Sequence, residues 1–399
     1  MQAYNNMHDI MKLHKLFLLA TVCCTLSACF KDEPANAECD IEKAWIHFDN
    51  PAECVWNLND TIINVSSTTT DIRFEVRAGT DLTALAPEFK TTAGATITPK
   101  SGTVLDFSKD TVQYTVTSED GAWHREYKVS ITERRHTTND TLNFDFENYY
   151  LYQEPNSSSS YYRWSDYLNE DGSQAINWAT GNAGFKLTNY LAKPEEYPTI
   201  PLADGGVSGD AVMLVTRKTG AIGAAYRKPI AAGNLFLGTF IGDNALLKPM
   251  EATQFGLPFD RTPIKFTGYY QYTPGETFTN QDGNVVNGKV DAGDIYAVLY
   301  INHDADGNPF VLTGDNVLTS EQIVLLARVP NVEPTDGWTY FELEFEKRNG
   351  KEIDLDLLNG FGYNLAVVFS SSVDGAYFQG AENSTLIIDN VRVICEKTE

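Results

Sequence analysis

Ile264-Lys-Phe-Thr-Gly-Tyr-Tyr270 has the composition of a β-strand, because aromatic and β-branched residues dominate it. Together with Gln271 and Tyr272, it places aromatic rings on both faces of that strand. Segments of the same kind lie further along the chain, at residues 295–301, 338–345, 365–370 and 386–393. Helical periodicity is nearly absent. The sequence therefore predicts an all-β domain over residues 140–399, and its length favours one large jelly-roll β-sandwich.

A smaller set of strands precedes this domain. Residues 62–65, 72–76, 112–116 and 127–131 alternate between apolar and polar side chains, and turn-forming residues separate them. About seven strands in roughly ninety residues is the spacing of an immunoglobulin-like sandwich, which we predict over residues 44–135. The polar residues 134–140 that follow are predicted to form a hinge.

The N-terminal residues predict an exported lipoprotein. Lys12 and Lys15 precede an apolar run, and Leu26-Ser-Ala-Cys29 has the form of a bacterial lipobox. Residues 1–29 are therefore interpreted as a signal peptide that starts at Met1 or Met11, with Cys29 as the lipidated residue. The apolar run is shorter than the about 20 residues needed to span a bilayer.

An acidic linker over residues 30–43 follows the predicted lipidation site. Its first residues, Phe30-Lys-Asp-Glu33, resemble the export signal that certain Gram-negative glycan degraders place behind the lipidated cysteine. That resemblance implies an outer-membrane lipoprotein facing the cell exterior. The alternative is a lipoprotein of the inner leaflet or the periplasm.

The net charge of the chain is -24, and aromatic residues make up 12% of it. So large a negative charge would repel nucleic acids and anionic lipid surfaces, so we predict no nucleic-acid partner. A neutral ligand is compatible with this charge. An oligosaccharide or polysaccharide is such a ligand.

Three cysteines remain outside the signal peptide and the lipidation site. An oxidising compartment favours a disulfide between Cys39 and Cys54, which are close in sequence. Cys395 could instead pair with either of them if the two ends of the chain meet. The spacing of cysteines and histidines does not fit a structural zinc site.

The first domain resembles the bacterial immunoglobulin-like spacers that precede ligand-binding domains in surface lipoproteins. The resemblance rests on residues 95–102, 106–108 and 114–121. It implies a spacer that holds the next domain away from the membrane. The alternative is a ligand site formed by Trp45, Trp56 and Trp123, although tryptophans are more often buried in a core.

The second domain is similar to the putative carbohydrate metabolism domain family. Asp260-Arg-Thr-Pro-Ile-Lys-Phe-Thr-Gly-Tyr-Tyr270, residues 291–300 and residues 384–391 give this resemblance, which covers about residues 142–396. It implies a cell-surface lipoprotein that binds or processes glycans. It assigns no catalytic residue.

Aromatic residues cluster between residues 149 and 164, a segment predicted to be a loop. Aromatic rings stack on the C–H faces of sugars, and planar polar side chains bind sugar hydroxyls. Aromatic residues of a sandwich are, however, more often part of its core. The predicted carbohydrate-binding residues are Tyr152, Tyr161, Tyr162, Trp164, Trp178 and Arg261.

Carboxylates near both ends of the second domain suggest a metal. Glu147 and Asp389 lie in the predicted first and last strands, and their arrangement resembles a structural calcium site of carbohydrate-binding jelly rolls. The alternative is a solvated acidic edge. Residues 302–308 also partly match a calcium-binding loop, but a hairpin turn explains them better.

Three functions are compatible with these features. The leading hypothesis is a noncatalytic glycan-binding lipoprotein for polysaccharide capture. The second is a glycoside hydrolase with a carboxylate pair, for which Asp291 and Asp294 would project from one loop. The third is an envelope assembly protein, or an accessory protein of a nutrient-uptake porin. Motifs of serine hydrolases, phosphate-binding loops and zinc proteases do not occur.

Overall fold

The computed structural model describes residues 35–55, 61–65, 67, 69–77, 79–109, 111–154, 157–172 and 174–397. The predicted signal peptide, Cys29 and Trp56 lie outside the described residues. Within the described part of the chain, no helix is long and apolar enough to cross a membrane. Two groups of strands follow one another, and each has its own hydrophobic core.

The first domain consists of two small sheets. Its elements are the helix α1 (Pro51–Cys54) and the strands β1 (Ile41–Trp45), β2 (Ile62–Asn64), β3 (Asp71–Arg77), β4 (Glu88–Thr91), β5 (Thr96–Thr98), β6 (Val112–Thr117) and β7 (His124–Arg134). One sheet has the order β2, β1, β4, and the other has the order β3, β7, β6, β5. Strands β3 and β7 are parallel, and the other pairs are antiparallel.

Alternation along β3 and β7 creates the core of the first domain. Ile72, Phe74 and Val76 are buried on β3, and Val129 and Ile131 are buried on β7. The residues between them are more exposed, as expected for strands with one wet face. This confirms the predicted immunoglobulin-like sandwich.

The predicted disulfide between Cys39 and Cys54 is wrong for this structure, since both residues are free thiols. The residue after Cys39, Asp40, pairs with Arg125, which also contacts the segment preceding β3. The residue after Cys54 accepts a hydrogen bond from Arg77 at the other end of β3. The two cysteines therefore adjoin residues that contact opposite ends of the seven-residue strand β3.

The second domain is larger and also built mainly of strands. Its helices are α2 (Asn182–Lys186), α3 (Gly220–Ala225), α4 (Pro249–Ala252) and α5 (Leu355–Asn359), with 3₁₀ turns at Pro194–Glu196, Gly242–Asn244 and Gly375–Tyr377. Its strands are β8 (Thr141–Phe144), β9 (Tyr149–Gln153), β10 (Ser160–Tyr167), β11 (Ala175–Ala179), β12 (Thr199–Leu202), β13 (Ala211–Val215), β14 (Arg217–Lys218), β15 (Ile230–Ala231), β16 (Asn234–Phe240), β17 (Thr253–Phe255), β18 (Leu257–Phe259), β19 (Pro263–Thr273), β20 (Phe278–Thr279), β21 (Asp294–Ile301), β22 (Leu312–Thr313), β23 (Ile323–Arg328), β24 (Thr339–Glu344), β25 (Glu346–Lys347), β26 (Tyr363–Ser370), β27 (Gly380–Ala381) and β28 (Thr385–Cys395).

Two sheets pack face to face in this domain. The front sheet has the order β25, β23, β21, β26, β16, β11, β10, β9, with β17, β18 and β22 attached to it. The back sheet has the order β12, β13, β28, β19, β24, with β8 paired to β28. The first and last strands of the domain are therefore neighbours. The predicted sandwich is confirmed.

The central strands of the front sheet are buried on both faces. On β21, Ile295, Ala297 and Leu299 point into the core between the two sheets. The alternate residues Tyr296 and Val298 belong to a second core on the outer face of the front sheet. Residues within 240–255 and 310–318, such as Phe255, Leu312 and Val317, pack on this face and belong to the same core. The outer face is thus covered along most of β21 and open only near one end.

The linker between the domains is bonded to the second domain, which differs from the predicted free hinge. Both oxygens of the buried Asp260 carboxylate accept from the backbone N–H of Thr137, at 3.2 and 3.0 Å, and Asp260 Oδ2 lies 2.7 Å from His136 Nδ1. The backbone N–H of Thr138 donates to Asn169 Oδ1 at 2.7 Å. The polar residues of the linker are therefore used to fix it.

Candidate functional site

The predicted aromatic loop is a hairpin rather than a loop. Tyr149–Gln153 and Ser160–Tyr167 pair as β9 and β10, and β10 continues into the front sheet through β11. Tyr161, Trp164 and Trp178 are buried, with 1–3% of their surface exposed. Trp164 and Trp178 face each other across β10 and β11. Their rings fill the core, so the structure does not support a surface platform formed by these three residues.

Tyr152 and Tyr162 are half-buried. The guanidinium carbon of Arg163 lies 3.4 Å from the centroid of the Tyr152 ring, so this ring face is occupied by a cation–π contact. Tyr162 packs against Tyr149 at a centroid distance of 5.9 Å. A role of these two tyrosines in sugar binding stays a prediction.

Arg261 has a structural position instead of the predicted binding position. Its Nη1 donates to the carbonyls of Thr137 and Asn139, and its Nη2 donates to Asp140 Oδ1 and to the Glu396 carbonyl at 2.6 and 2.5 Å. The side chain is buried. Arg261 therefore joins the linker to the end of the chain.

Glu147 and Asp389 both bind the backbone of the loop at residues 203–210. Asp389 Oδ2 accepts from the N–H groups of Val207 and Ser208 at 2.6 and 3.2 Å, and Glu147 Oε1 accepts from Asp210 N at 2.9 Å. Burial raises the pKa of Asp389. Among the described residues, no group of three or more histidines, cysteines and acidic residues is arranged to hold a metal ion. The calcium site stays a prediction.

A cavity of about 170 Å³ lies on the outer face of the front sheet, beyond the end of the second core. Its floor consists of two rows of side chains from three adjacent strands, β16, β26 and β21. Asn234, Ser370 and Asp294 pair in register to form the outer row. The next row on the same face consists of Phe236, Val368 and Tyr296.

The outer row is polar and the inner row is largely apolar. Directly paired residues on adjacent strands lie about 5 Å apart, so Asn234, Ser370 and Asp294 form a short ladder of polar groups. We call these three residues the polar row. The inner row belongs to the second core, which closes the cavity at that end. A ligand would therefore meet hydrogen-bonding groups at the floor and no passage behind them.

Asn234 is the most accessible donor of the polar row. Its Oδ1 accepts a hydrogen bond of 2.6 Å from the backbone N–H of Gly181, which fixes the orientation of the amide. Both hydrogens of the Nδ2 group can then be donated. The side chain lines the cavity and is only half-buried. Its geometry suits donation to a hydroxyl oxygen of a ligand.

Asp294 is buried and paired with Arg328. Arg328 donates from Nε and Nη2 to the two carboxylate oxygens of Asp294 at 2.8 and 2.9 Å. Burial raises the pKa of Asp294, and the bonds from Arg328 oppose this rise. A carboxylate whose two oxygens already accept from one guanidinium is suited to positioning rather than to proton transfer.

Asp291 does not face Asp294 across the cavity, although the two are three residues apart. Asp291 Oδ2 accepts from Ser372 Oγ, Ser384 Oγ and Ala381 N, at 2.6, 2.7 and 2.8 Å. It is 3% exposed and is not part of the cavity lining. Asp291 instead fixes Ser372 through the hydrogen bond that it accepts from it, and Ser372 does line the cavity.

The walls of the cavity are mostly apolar. Phe240, Leu246 and Met250 line it on one side, and Phe378 lines it on another. Lys228 Nζ lies 5.0 Å from the centroid of the Phe378 ring, so two loops meet at this wall. A polar floor between aromatic and aliphatic walls matches the amphipathic surface of a sugar ring.

Glycine is required where this lining is tight. A Cβ atom on Gly184 would lie 2.9 Å from Phe240 Cζ, and one on Gly375 would lie 2.5 Å from Ala232 Cβ. Both glycines line the cavity. Larger residues at these positions would therefore displace the walls.

Family models match both domains. The model described as "Putative carbohydrate metabolism domain" matches residues 145–394. The model described as "SGBP, N-terminal", where SGBP denotes a surface glycan-binding protein, matches residues 55–131. None of the curated proteins compared with the chain matches it.

Two solved structures from Bacteroides species are similar to the chain. A protein of Bacteroides thetaiotaomicron described as a putative glycoside hydrolase is 39% identical, with a TM-score of 0.77 over 92% of this chain and 100% of its own. A protein of Bacteroides vulgatus with the same description is 37% identical, with a TM-score of 0.58 over 64% of this chain and 98% of its own.

The two β-sandwich domains and the family models that match them define a carbohydrate-associated β-sandwich protein. The first family model covers more than half of the chain, and the first structure is similar over nearly all of it. The chain belongs to the putative carbohydrate metabolism domain family. The family predicted from the sequence is thereby confirmed.

Proposed function

We propose that the protein is a cell-surface lipoprotein that binds glycans in the cavity on the outer face of the front sheet. The observation that carries this proposal is the polar row of Asn234, Ser370 and Asp294 between apolar walls. A sugar presents hydroxyls at its edge and C–H groups on its faces, so it needs both kinds of surface. Glycan capture accounts for this combination.

Binding without cleavage agrees best with the acidic residues of the cavity. A glycosidase uses two carboxylates that flank the scissile bond, about 5 to 9 Å apart. Among the described lining residues, Asp294 is the only acidic one, and both its oxygens bind Arg328. Asp291 is not part of this lining, and its Oδ2 accepts three bonds, from Ser372, Ser384 and Ala381.

Affinity gel electrophoresis with Asn234→Asp tests the proposal. The variant keeps an oxygen acceptor for Gly181 N and removes the Nδ2 donor, so the local fold should survive. We expect xylan, glucomannan, arabinogalactan, starch or pectin to retard the wild-type protein, and Asn234→Asp to weaken that retardation about tenfold, as for loss of a hydrogen bond in a dry site. Asn143→Asp, on the exposed face of β8, is the matched control. Equal retardation of both variants and wild type would contradict the cavity as the site.

A glycoside hydrolase is the second candidate function. It is favoured by the descriptions of the two similar Bacteroides proteins as putative glycoside hydrolases. Incubation with the same polysaccharides and measurement of new reducing ends distinguishes the two functions. If the protein only binds glycans, the number of reducing ends stays equal to that in buffer alone. If it is a hydrolase, the number of reducing ends rises, and Asp294→Asn abolishes this rise.

The location at the outer membrane is part of the same proposal. The match of the first domain to the SGBP model supports a surface protein, and a lipid at Cys29 would anchor it with the immunoglobulin-like domain as a spacer. Labelling of intact cells by antibody, lost in Cys29→Ala, is the expected result. A role as accessory of an uptake porin would give co-purification with that porin from outer membranes, independent of glycan.

Structural calcium at Glu147 and Asp389 is a separate proposal. It is supported by the position of these carboxylates, which lie after the first strand and within the last strand of the second domain and bind one loop. Calcium should then raise the melting temperature of chelator-treated protein, and Glu147→Gln should remove that effect. An unchanged melting temperature would contradict the metal.

A further inference from the structure

We infer that the cavity takes the terminal unit of a glycan chain, and that the following units lie over Tyr226 and Tyr377 at its opening. This inference rests on the proposed function and specifies how the glycan is bound. Its first support is size. A cavity of about 150 Å³ is known to hold one six-membered ring, and this cavity measures about 170 Å³.

The second support is that the cavity is closed at its inner end. Phe236, Val368 and Tyr296 lie behind the polar row, and all three are members of the second core with at most 4% of their surface exposed. A chain cannot pass through this wall. A ring seated on the polar row thus has the closed inner row on one side, which favours a ring at an end of its chain.

The third support is a pair of exposed aromatic side chains within two residues of the cavity lining in sequence, which we call the rim tyrosines. Tyr377 lies between the lining residues Ala376 and Phe378, and Tyr226 precedes Lys228, another lining residue. The contact between Lys228 and Phe378 brings the two loops together. Tyr226 and Tyr377 are 48% and 50% exposed, so their rings are available to stack on a sugar.

Counting protein molecules per glycan chain tests this mode of binding. The probes are short and long chains with the same repeating unit, prepared from the polysaccharide that retards the protein most. Sedimentation of the purified full-length protein with each probe should give the same number of bound proteins per chain, because the number of ends is the same. A number that rises in proportion to chain length would overturn the inference.

The rim tyrosines are tested by substitution. Tyr226→Ala and Tyr377→Ala should weaken binding of a hexasaccharide of the same repeating unit about three- to tenfold, the value of one aromatic contact, and leave binding of the monosaccharide unchanged. Tyr340→Ala is the matched control, because Tyr340 is 51% exposed on the back sheet. Equal loss for both lengths, or no loss for either, would contradict the role of the rim.

The outcomes separate this inference from the function on which it rests. Absence of binding to every polysaccharide of the panel overturns the proposed function and the inference together. Binding that depends on Asn234, with many proteins on each long chain, overturns only the inference. In that case the cavity would be one part of an open groove.

Discussion

Among single residues, Asp166 on β10 carries the clearest electrostatic signal outside the cavity. Burial, together with a smaller contribution from nearby Asp145, raises its pKa to about 7. The unfolded chain has a pKa near 3.9 for this group, so the folded protein binds its proton more tightly. The contribution of Asp166 to the free energy of unfolding is therefore fully present below pH 4, and it is lost as the pH rises through about 7.

Asp166→Asn should therefore change stability in a pH-dependent way. At pH 4 the Asp166 side chain and the asparagine that replaces it are both neutral in the folded protein. At pH 8 the substitution removes a buried ionised carboxylate. We therefore expect Asp166→Asn to raise the free energy of unfolding by about 2 kcal/mol more at pH 8 than at pH 4. Urea unfolding at the two pH values measures this difference. The exposed Asp306→Asn serves as the control. An equal effect of Asp166→Asn at both pH values would contradict the assignment.

Among the structural elements, the hairpin of β9 and β10 is where the sequence interpretation and the structure differ most. Tyr162 and Trp164 lie on one face of β10 and Tyr161 on the other, the period of a strand, yet the density of aromatic residues suggests a binding loop. Burial decides between the two interpretations. It depends on the neighbouring strand β11, whose Trp178 pairs with Trp164.

Trp164→Ala should destabilise the protein rather than alter its ligand affinity directly. The indole is 1% exposed, so its removal leaves a cavity and should cost about 3–5 kcal/mol of unfolding free energy. Tyr150→Ala, at a 45% exposed position of the same hairpin, should change stability by less than about 0.5 kcal/mol. Weaker glycan binding by Trp164→Ala with unchanged stability would instead support the original binding prediction.

The strands could be predicted from sequence because period-two alternation and aromatic composition are local properties. The family could be predicted for a similar reason, from short segments such as that at Asp260. The polar row could not, because Asn234, Asp294 and Ser370 come from three distant segments whose register only the folded sheet sets. The one signal available was that Asp294 begins a strand of strong apolar character. The separation of Asp291 from Asp294 likewise depends on packing.

In the whole molecule, the linker fixes how the two domains are connected. Asp260 accepts from His136 and Thr137, and Arg261 binds carbonyls of the same segment. His136 also stacks on Phe361 of the second domain at a centroid distance of 5.1 Å. These contacts attach the linker to the second domain.

Asp260→Ala should release this linker. The substitution removes the acceptor for His136 and Thr137, so the residues around Arg134 and Arg135 should become cleavable by trypsin. Limited proteolysis with mass spectrometry measures the cut, and calorimetry checks that both domains remain folded. Asp336→Ala, an exposed substitution, should leave the pattern unchanged. Resistance of Asp260→Ala equal to wild type would show that the linker is held by other contacts.

The central claim is that the cavity binds glycans at the polar row, and a measurement of glycan affinity tests it most directly. Isothermal titration calorimetry with the best-retained glycan should give a dissociation constant about tenfold higher for Asn234→Asp than for wild type, and no change for Asn143→Asp. Such a result would place the ligand at the floor of the cavity, where Asn234 Nδ2 is available. Identical affinities of wild type and Asn234→Asp would contradict glycan binding at this site.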